Sequence, residues 1–132
     1  MSKVTANIKF EHVTFTYPTR GSVTVIQDLD FEINQGQTVA ICGRTGSGKS
    51  TIMNLLLRFY DPDSGCIYLD NCNLCDLNVA WLRSLISIVE QEPALFDCSI
   101  YENIALGATQ ESDKTYQRII EAAKMANAHD FI

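Results

Sequence analysis

The chain has 132 residues, 46% of them hydrophobic, and a formal charge of −6. This suits one globular domain with a real core and excludes a disordered chain. The acidic balance disfavours nucleic acid, whose binding draws on clustered Lys and Arg; no apolar run approaches the ~20 residues that span a bilayer, and residues 1–7 lack the apolar centre of a signal peptide.

Residues 7–17 read as a strand. Ile8 and Phe10 alternate, then Val13, Phe15 and Tyr17 alternate in the opposite phase. Such a slip would turn the apolar set to the other face, so a bulge is predicted at Glu11-His12. Residues 18–22 form a turn. Residues 23–33 are extended again, with Leu29, Phe31 and Ile33 against Asp30 and Glu32, the alternation of a half-exposed antiparallel strand. Residues 34–37 turn the chain into Thr38-Val39-Ala40-Ile41-Cys42, a short apolar run expected to be a buried strand.

Gly43-Arg44-Thr45-Gly46-Ser47-Gly48-Lys49-Ser50-Thr51 follows and fits G-x-x-x-x-G-K-[ST], a phosphate-binding loop. A triphosphate needs many donors packed closely, and backbone N–H groups are the densest supply. Gly43, Gly46 and Gly48 can take positive φ and carry no Cβ to hold phosphates away. The N–H groups of Ser47 to Ser50 can then form an anion nest, reinforced by the dipole of the next helix. Lys49 supplies a point charge for the β- and γ-phosphates, and the Ser50 hydroxyl is placed to ligate Mg²⁺. Ile52, Leu55, Leu56 and Phe59 fall on one face of that helix, widened by Met53 and Leu57.

Asp61-Pro62-Asp63-Ser64-Gly65 is a stop. Ile67 and Leu69 predict a short strand, Asp70-Asn71 a tight turn, and residues 78–85 a short helix. Ser87-Ile88-Val89 is expected to be a second buried strand leading to Gln91. One helical turn is expected within residues 99–104. Ser112 is expected to cap a helix running to about Ala126, with Tyr116, Ile119, Ile120 and Ala123 on one face. The five cysteines, Cys42, Cys66, Cys72, Cys75 and Cys98, are odd in number and scattered, which points to free thiols. Cys72-Asn73-Leu74-Cys75 lies in turn-like sequence with His12 and His129 far off, which argues against a zinc or redox site.

Taken in order, Phe15-Thr16-Tyr17-Pro18-Thr19-Arg20, the phosphate loop, Arg58-Phe59-Tyr60-Asp61-Pro62, Trp81-Leu82-Arg83, Val89-Glu90-Gln91-Glu92-Pro93, Leu95-Phe96 and Ser99-Ile100-Tyr101-Glu102-Asn103-Ile104 resemble the nucleotide-binding domain of ABC transporters. The similarity is greatest to multidrug exporters of the P-glycoprotein type. It implies an α/β fold: a P-loop NTPase core with RecA-like parallel strands, behind an N-terminal antiparallel β portion. Residues 1–132 would be a single partial domain. Residues 7–42 and 64–76 would be mainly β portion and P-loop strand, 43–60 the P-loop and its helix, and 86–132 the Q-loop and the start of a helical region.

By this resemblance Tyr17 stacks on adenine, with Arg20 and Val25 close by; an exposed aromatic face is worth ~1–3 kcal/mol per stacked base. Gln91 looks like the Q-loop glutamine, whose amide oxygen can ligate Mg²⁺ and whose NH₂ can position water. The implied ligands are ATP and Mg²⁺. The implied partners are transmembrane domains, met through Glu92 to Gly107 with Leu95, Phe96, Ile100 and Ile104 as an apolar patch, and a second nucleotide-binding domain. The setting is the cytoplasmic face of a membrane. Two departures stand out: Asn71 where relatives usually carry glycine, and Glu90 where a small or uncharged residue is commoner. Signature motif, Walker B strand and switch histidine do not occur within the 132 residues. The expectation is therefore a fragment or truncated form of an exporter, soluble by itself, open to self-association through bare strand edges. It would bind nucleotide weakly and hydrolyse it poorly. A soluble non-transport ABC ATPase and a binding-only module are the alternatives.

Overall fold

A computed structural model describes residues 4–21, 23–108 and 110–132, apart from the side chain of Arg20. The chain divides into two compact units at Ser87/Ile88. The first is built on a four-stranded antiparallel sheet in the order β2-β1-β3-β4, with β1 Ile8–Thr16, β2 Thr24–Ile33, β3 Ser64–Leu69 and β4 Cys72–Asn73.

The bulge in β1 is present. Phe10 pairs with Phe31 and Val13 with Leu29, with a register shift between them, and His12 sits at φ 49°. The extra residue lets both halves of the strand face inward: Phe10, Val13 and Phe15 are each at most 2% exposed. β3 fits against the bulge through Gly65, at φ 81°, where a Cβ would lie 2.2 Å from the His12 carbonyl oxygen. The hairpin between β3 and β4 turns on Asp70 and Asn71, both at positive φ, as a two-residue loop of the primed type requires. Asn71 thus performs the turn glycine's part. The Asp70 carboxylate also receives the Thr5 hydroxyl and the backbone N–H groups of Thr5, Ala6 and Asn7. The Thr5 hydroxyl, then the Asn7 amide, hold its carboxyl down at about 2.

Two helices belong to this unit, α1 Lys49–Leu56 and α2 Val79–Ser84. Asn78 caps α2 by accepting from the Trp81 N–H. Ile52 and Leu55 of α1 and Leu82 of α2 join Phe10, Val13, Phe15, Ile26, Ile67 and Leu69 in one buried cluster. The α1 face is narrower than its sequence promises: Leu57 is buried just past the helix, but Met53 and Phe59 are exposed.

The expected buried strands at 38–42 and 87–89 do not form. Both stretches are irregular, Val39 and Ile41 are 48% and 40% exposed, and Val89 is 100% exposed. A strand exists through its ladder partners, and among the described residues no strand pairs with either run. The parallel core expected from sequence is therefore absent from the observed sheet, which is antiparallel throughout.

The second unit holds α3 Ile100–Ala105 and α4 Tyr116–Met125. Ser99 and Glu102 close a capping box on α3. The Ser99 hydroxyl, then its amide, hold the Glu102 carboxyl below its usual range. Helix α4 begins at an N-cap of Thr115, whose hydroxyl accepts from the Arg118 N–H. This corrects the expected cap at Ser112, which lies in a short 3-10 turn over Glu111–Asp113. Ile119 and Ala123 are buried while Tyr116 is 71% exposed, stacked on Tyr101. No helix among the described residues is long and apolar enough to cross a membrane.

Candidate functional site: a glycine-rich cradle beside Tyr17

Asn34 to Gln37 turns the chain out of β2, closed by the Gln37 N–H on the Asn34 carbonyl and by Gly36 at φ 77°. Residues 43–48 then bend back on themselves and open α1. Gly46 and Gly48 take φ 82° and 89°, as a nest of inward N–H groups requires. Gly43 does not; its need for glycine is steric, since a Cβ there would lie 2.5 Å from the Ser47 Oγ. Gly48 is buried against β2, where a Cβ would meet the Val25 carbonyl oxygen at 3.1 Å and the Ile26 side chain at 3.3 Å. That contact seats the cradle on the sheet. The Ser47 N–H closes a turn on the Arg44 carbonyl at 3.1 Å. Arg44 and Thr45 are exposed on the rim.

Lys49 folds back over the bend. Its Nζ donates to the carbonyls of Gly43 at 2.9 Å and Arg44 at 2.7 Å. The ammonium thus stands at the loop's mouth with its donors satisfied by groups that a phosphate oxygen can replace. Ser50 is exposed in the first turn of α1, and Thr51 is 4% exposed beneath it.

Tyr17 directly follows β1 and is half-buried. Phe15 and Tyr60 meet its ring edge-on, with centroids at 4.9 and 5.1 Å. Its hydroxyl is 3.1 Å from the Thr51 Oγ1 and receives the Asn54 Nδ2 at 3.0 Å. A cavity of about 260 Å³ is lined by Tyr17, Val25, Gly46, Gly48, Lys49, Ser50 and Thr51, with Val23 and Thr24 of the β2 edge. The structure thus brings together an aromatic face, a glycine nest, a lysine and a serine hydroxyl. A second cavity of about 310 Å³ shares Val25, Gly48 and Lys49 and reaches Ile41, Cys42 and Ser47. The Arg20 side chain lies outside the described residues. Gln91 belongs to the second unit and is exposed there; Leu95, Phe96 and Ile100 of that unit are 81%, 65% and 55% exposed.

Sequence reasoning missed two groupings. Asn54 is one, since nothing local in the sequence pairs it with Tyr17. The other is His12 with Asp28 and Asp30, whose nitrogen and carboxylate oxygens lie within 4.8 Å of one another. Here the bulge and the register, Val13 opposite Leu29, carry residue 12 across to residues 28 and 30. His12 Nδ1 is 2.9 Å from Asp28 and 3.2 Å from Asp30, and its own N–H donates to Asp30. The hydrogen bond to Asp28, then the charges of Asp30 and Asp28, raise the imidazole above its ordinary range. A raised folded value gives stability that is present below ~6.5 and lost as pH rises through the folded value. The melting temperature is expected to be lower at pH 9 than at pH 6. In His12→Asn, which keeps a residue tolerant of positive φ, this histidine component of the slope disappears; an unchanged slope in scanning calorimetry would refute it. Cys72 and Cys75 are free and exposed, in β4 and the turn after it.

The glycine cradle that opens α1, braced on a sheet edge beside an aromatic, is formed by the residues that fit G-x-x-x-x-G-K-[ST]. A family profile described as ABC transporter matches residues 26–132. "Multidrug resistance protein 1" of Entamoeba histolytica is 52% identical over 126 residues, covering 96% of this chain and 10% of that protein. "ATP-binding cassette sub-family B member 10, mitochondrial" of Mus musculus is 50% identical over 125 residues, covering 95% of this chain and 18% of that one. Among solved structures, a bacterial Atm1-family ABC exporter with ATP bound superposes with a TM-score of 0.86 at 36% identity, over 96% of this chain and 21% of that chain. The chain belongs to the ABC transporter family. It spans about a tenth of the length of the Entamoeba proteins it matches.

Proposed function

We propose that this chain is part of the ATP-binding domain of an ABC exporter and binds Mg-ATP in the cavity between Tyr17 and the glycine cradle. The observation that carries this is the joint lining of one cavity by Tyr17, Val25, Gly46, Gly48, Lys49, Ser50 and Thr51. The donor set suits the ligand. Phosphates are met by the nest, the start of α1 and the Lys49 ammonium, and the base by the Tyr17 ring. The Ser50 hydroxyl would hold Mg²⁺, which keeps several waters and shares phosphate oxygens. Among the described residues no carboxylate lines the cavity. Hydrolysis coupled to export is the work of the longer protein.

The same reading assigns 38–42 and 87–89 to a RecA-like parallel core. It assigns Gln91 to Mg²⁺ and water positioning and Arg20 to the base edge. The exposed Leu95, Phe96 and Ile100 become the surface for transmembrane domains, with a second nucleotide-binding domain as the other partner. Titration with a fluorescent ATP analogue tests the central claim. Tyr17→Ala is expected to weaken binding about 5- to 150-fold, from a stacking energy of ~1–3 kcal/mol. Equal affinity in the two proteins would remove the base from this cavity.

A further inference from the structure

We propose that Asn54 is a positioning residue that fixes the plane of the Tyr17 ring and thereby favours the base of a nucleotide rather than its phosphates. The inference rests on the nucleotide reading above. Asn54 lies three residues beyond Thr51 on α1, so the two side chains share one helix face. Its Nδ2 is 3.0 Å from the Tyr17 Oη, and that oxygen is 3.1 Å from the Thr51 Oγ1. An amide nitrogen only donates, and a phenol carries one proton. Tyr17 therefore accepts from Asn54, while in its bond with Thr51 either hydroxyl can be the donor.

Two contacts leave the ring little freedom about its long axis: Phe15 at 79° and Tyr60 at 89° both meet it edge-to-face. The hydroxyl bonds fix the remaining tilt, because Thr51 is buried and water does not compete for that oxygen from below. Asparagine is a poor helix former, and the Asn54 side chain has no other hydrogen-bond partner among the described residues, so this bond accounts for its presence. The Asn54 carbonyl separately accepts from the Phe59 N–H at 2.9 Å, a backbone bond that side-chain replacement leaves in place.

The test is a double-mutant cycle on the 132-residue chain, with calorimetric titration of Mg-ATP and of Mg-tripolyphosphate against wild type, Asn54→Leu, Tyr17→Phe and the double variant. Each single change is expected to lower ATP affinity about fivefold, the worth of one neutral hydrogen bond. Tripolyphosphate affinity should stay within about twofold, and the double variant should be no weaker than either single. Tyr17→Phe keeps the ring and its volume, so it carries the test even if Asn54→Leu fails to fold. An ATP affinity untouched by either change, a loss shared equally by both ligands, or losses that add in the double variant would each overturn the inference while leaving nucleotide binding intact. Failure of the unsubstituted chain to bind ATP would overturn the nucleotide reading, and this inference with it.

Discussion

Gly65→Ala is expected to cost the first unit a large share of its stability and to move its urea midpoint well below that of wild type. Gly65 combines two demands that no side chain meets. Its φ of 81° lies in the left-handed region, which costs an alanine ~1–2 kcal/mol. Its missing Cβ leaves room for the bulge backbone: the His12 carbonyl oxygen and carbon would stand 2.2 and 2.4 Å away, and the Glu11 oxygen 2.5 Å. Those atoms are held on both sides, by the pairing of β1 with β2 and with β3. They cannot retreat without breaking the register that keeps Phe10, Val13 and Phe15 inside. A penalty of ~3–5 kcal/mol follows from the strain and the lost packing, against a total stability of ~5–15 kcal/mol for a whole domain. Urea titration followed by circular dichroism measures it. A midpoint within experimental error of wild type would mean that the bulge is not the fixed point of this sheet.

Lys49→Ala is expected to weaken Mg-ATP binding about 10- to 100-fold, the worth of one charge-assisted hydrogen bond of ~1.5–3 kcal/mol. The ammonium already gives protons to the Gly43 and Arg44 carbonyls, so binding exchanges one set of acceptors for another. What the phosphate gains is the charge, in a cavity that no carboxylate among the described residues lines. Arginine is not expected to substitute, since its planar fork does not fit a point-charge position inside a tight bend. Because Lys49 is only half-buried, its removal should shift the melting temperature little. Titration at fixed ionic strength separates the two effects. Undiminished affinity in Lys49→Ala would detach the lysine from the phosphates.

These two residues also show what a sequence discloses and what it hides. Lys49 was legible because its motif is local: the glycines, the lysine and the serine act within one bend and its helix. The same holds for the bulge at His12, which a slip in alternation betrays, for the Asp70-Asn71 turn and for the helical turn within residues 99–104. Gly65 was read only as part of a stop, since its role depends on a backbone some fifty residues away in the chain. Asn54 was passed over for the same reason. The runs at 38–42 and 87–89 failed differently. Their apolar composition is that of a buried strand, but a strand is a property of pairs, and the observed sheet offers them no neighbour. Thr115 displaced Ser112 as a cap because two hydroxyl residues competed within one turn, and periodicity does not choose between them.

The seating of the glycine bend has one further consequence. It rests on β2 through Gly48 at its exit, whereas the residues that enter it, from Thr38 to Cys42, run exposed and without ladder bonds. A bend clamped at one end and slack at the other surrenders more conformational freedom when it closes on an anion. The triphosphate would then act as the missing brace, and amide exchange upstream of the bend would slow on saturation.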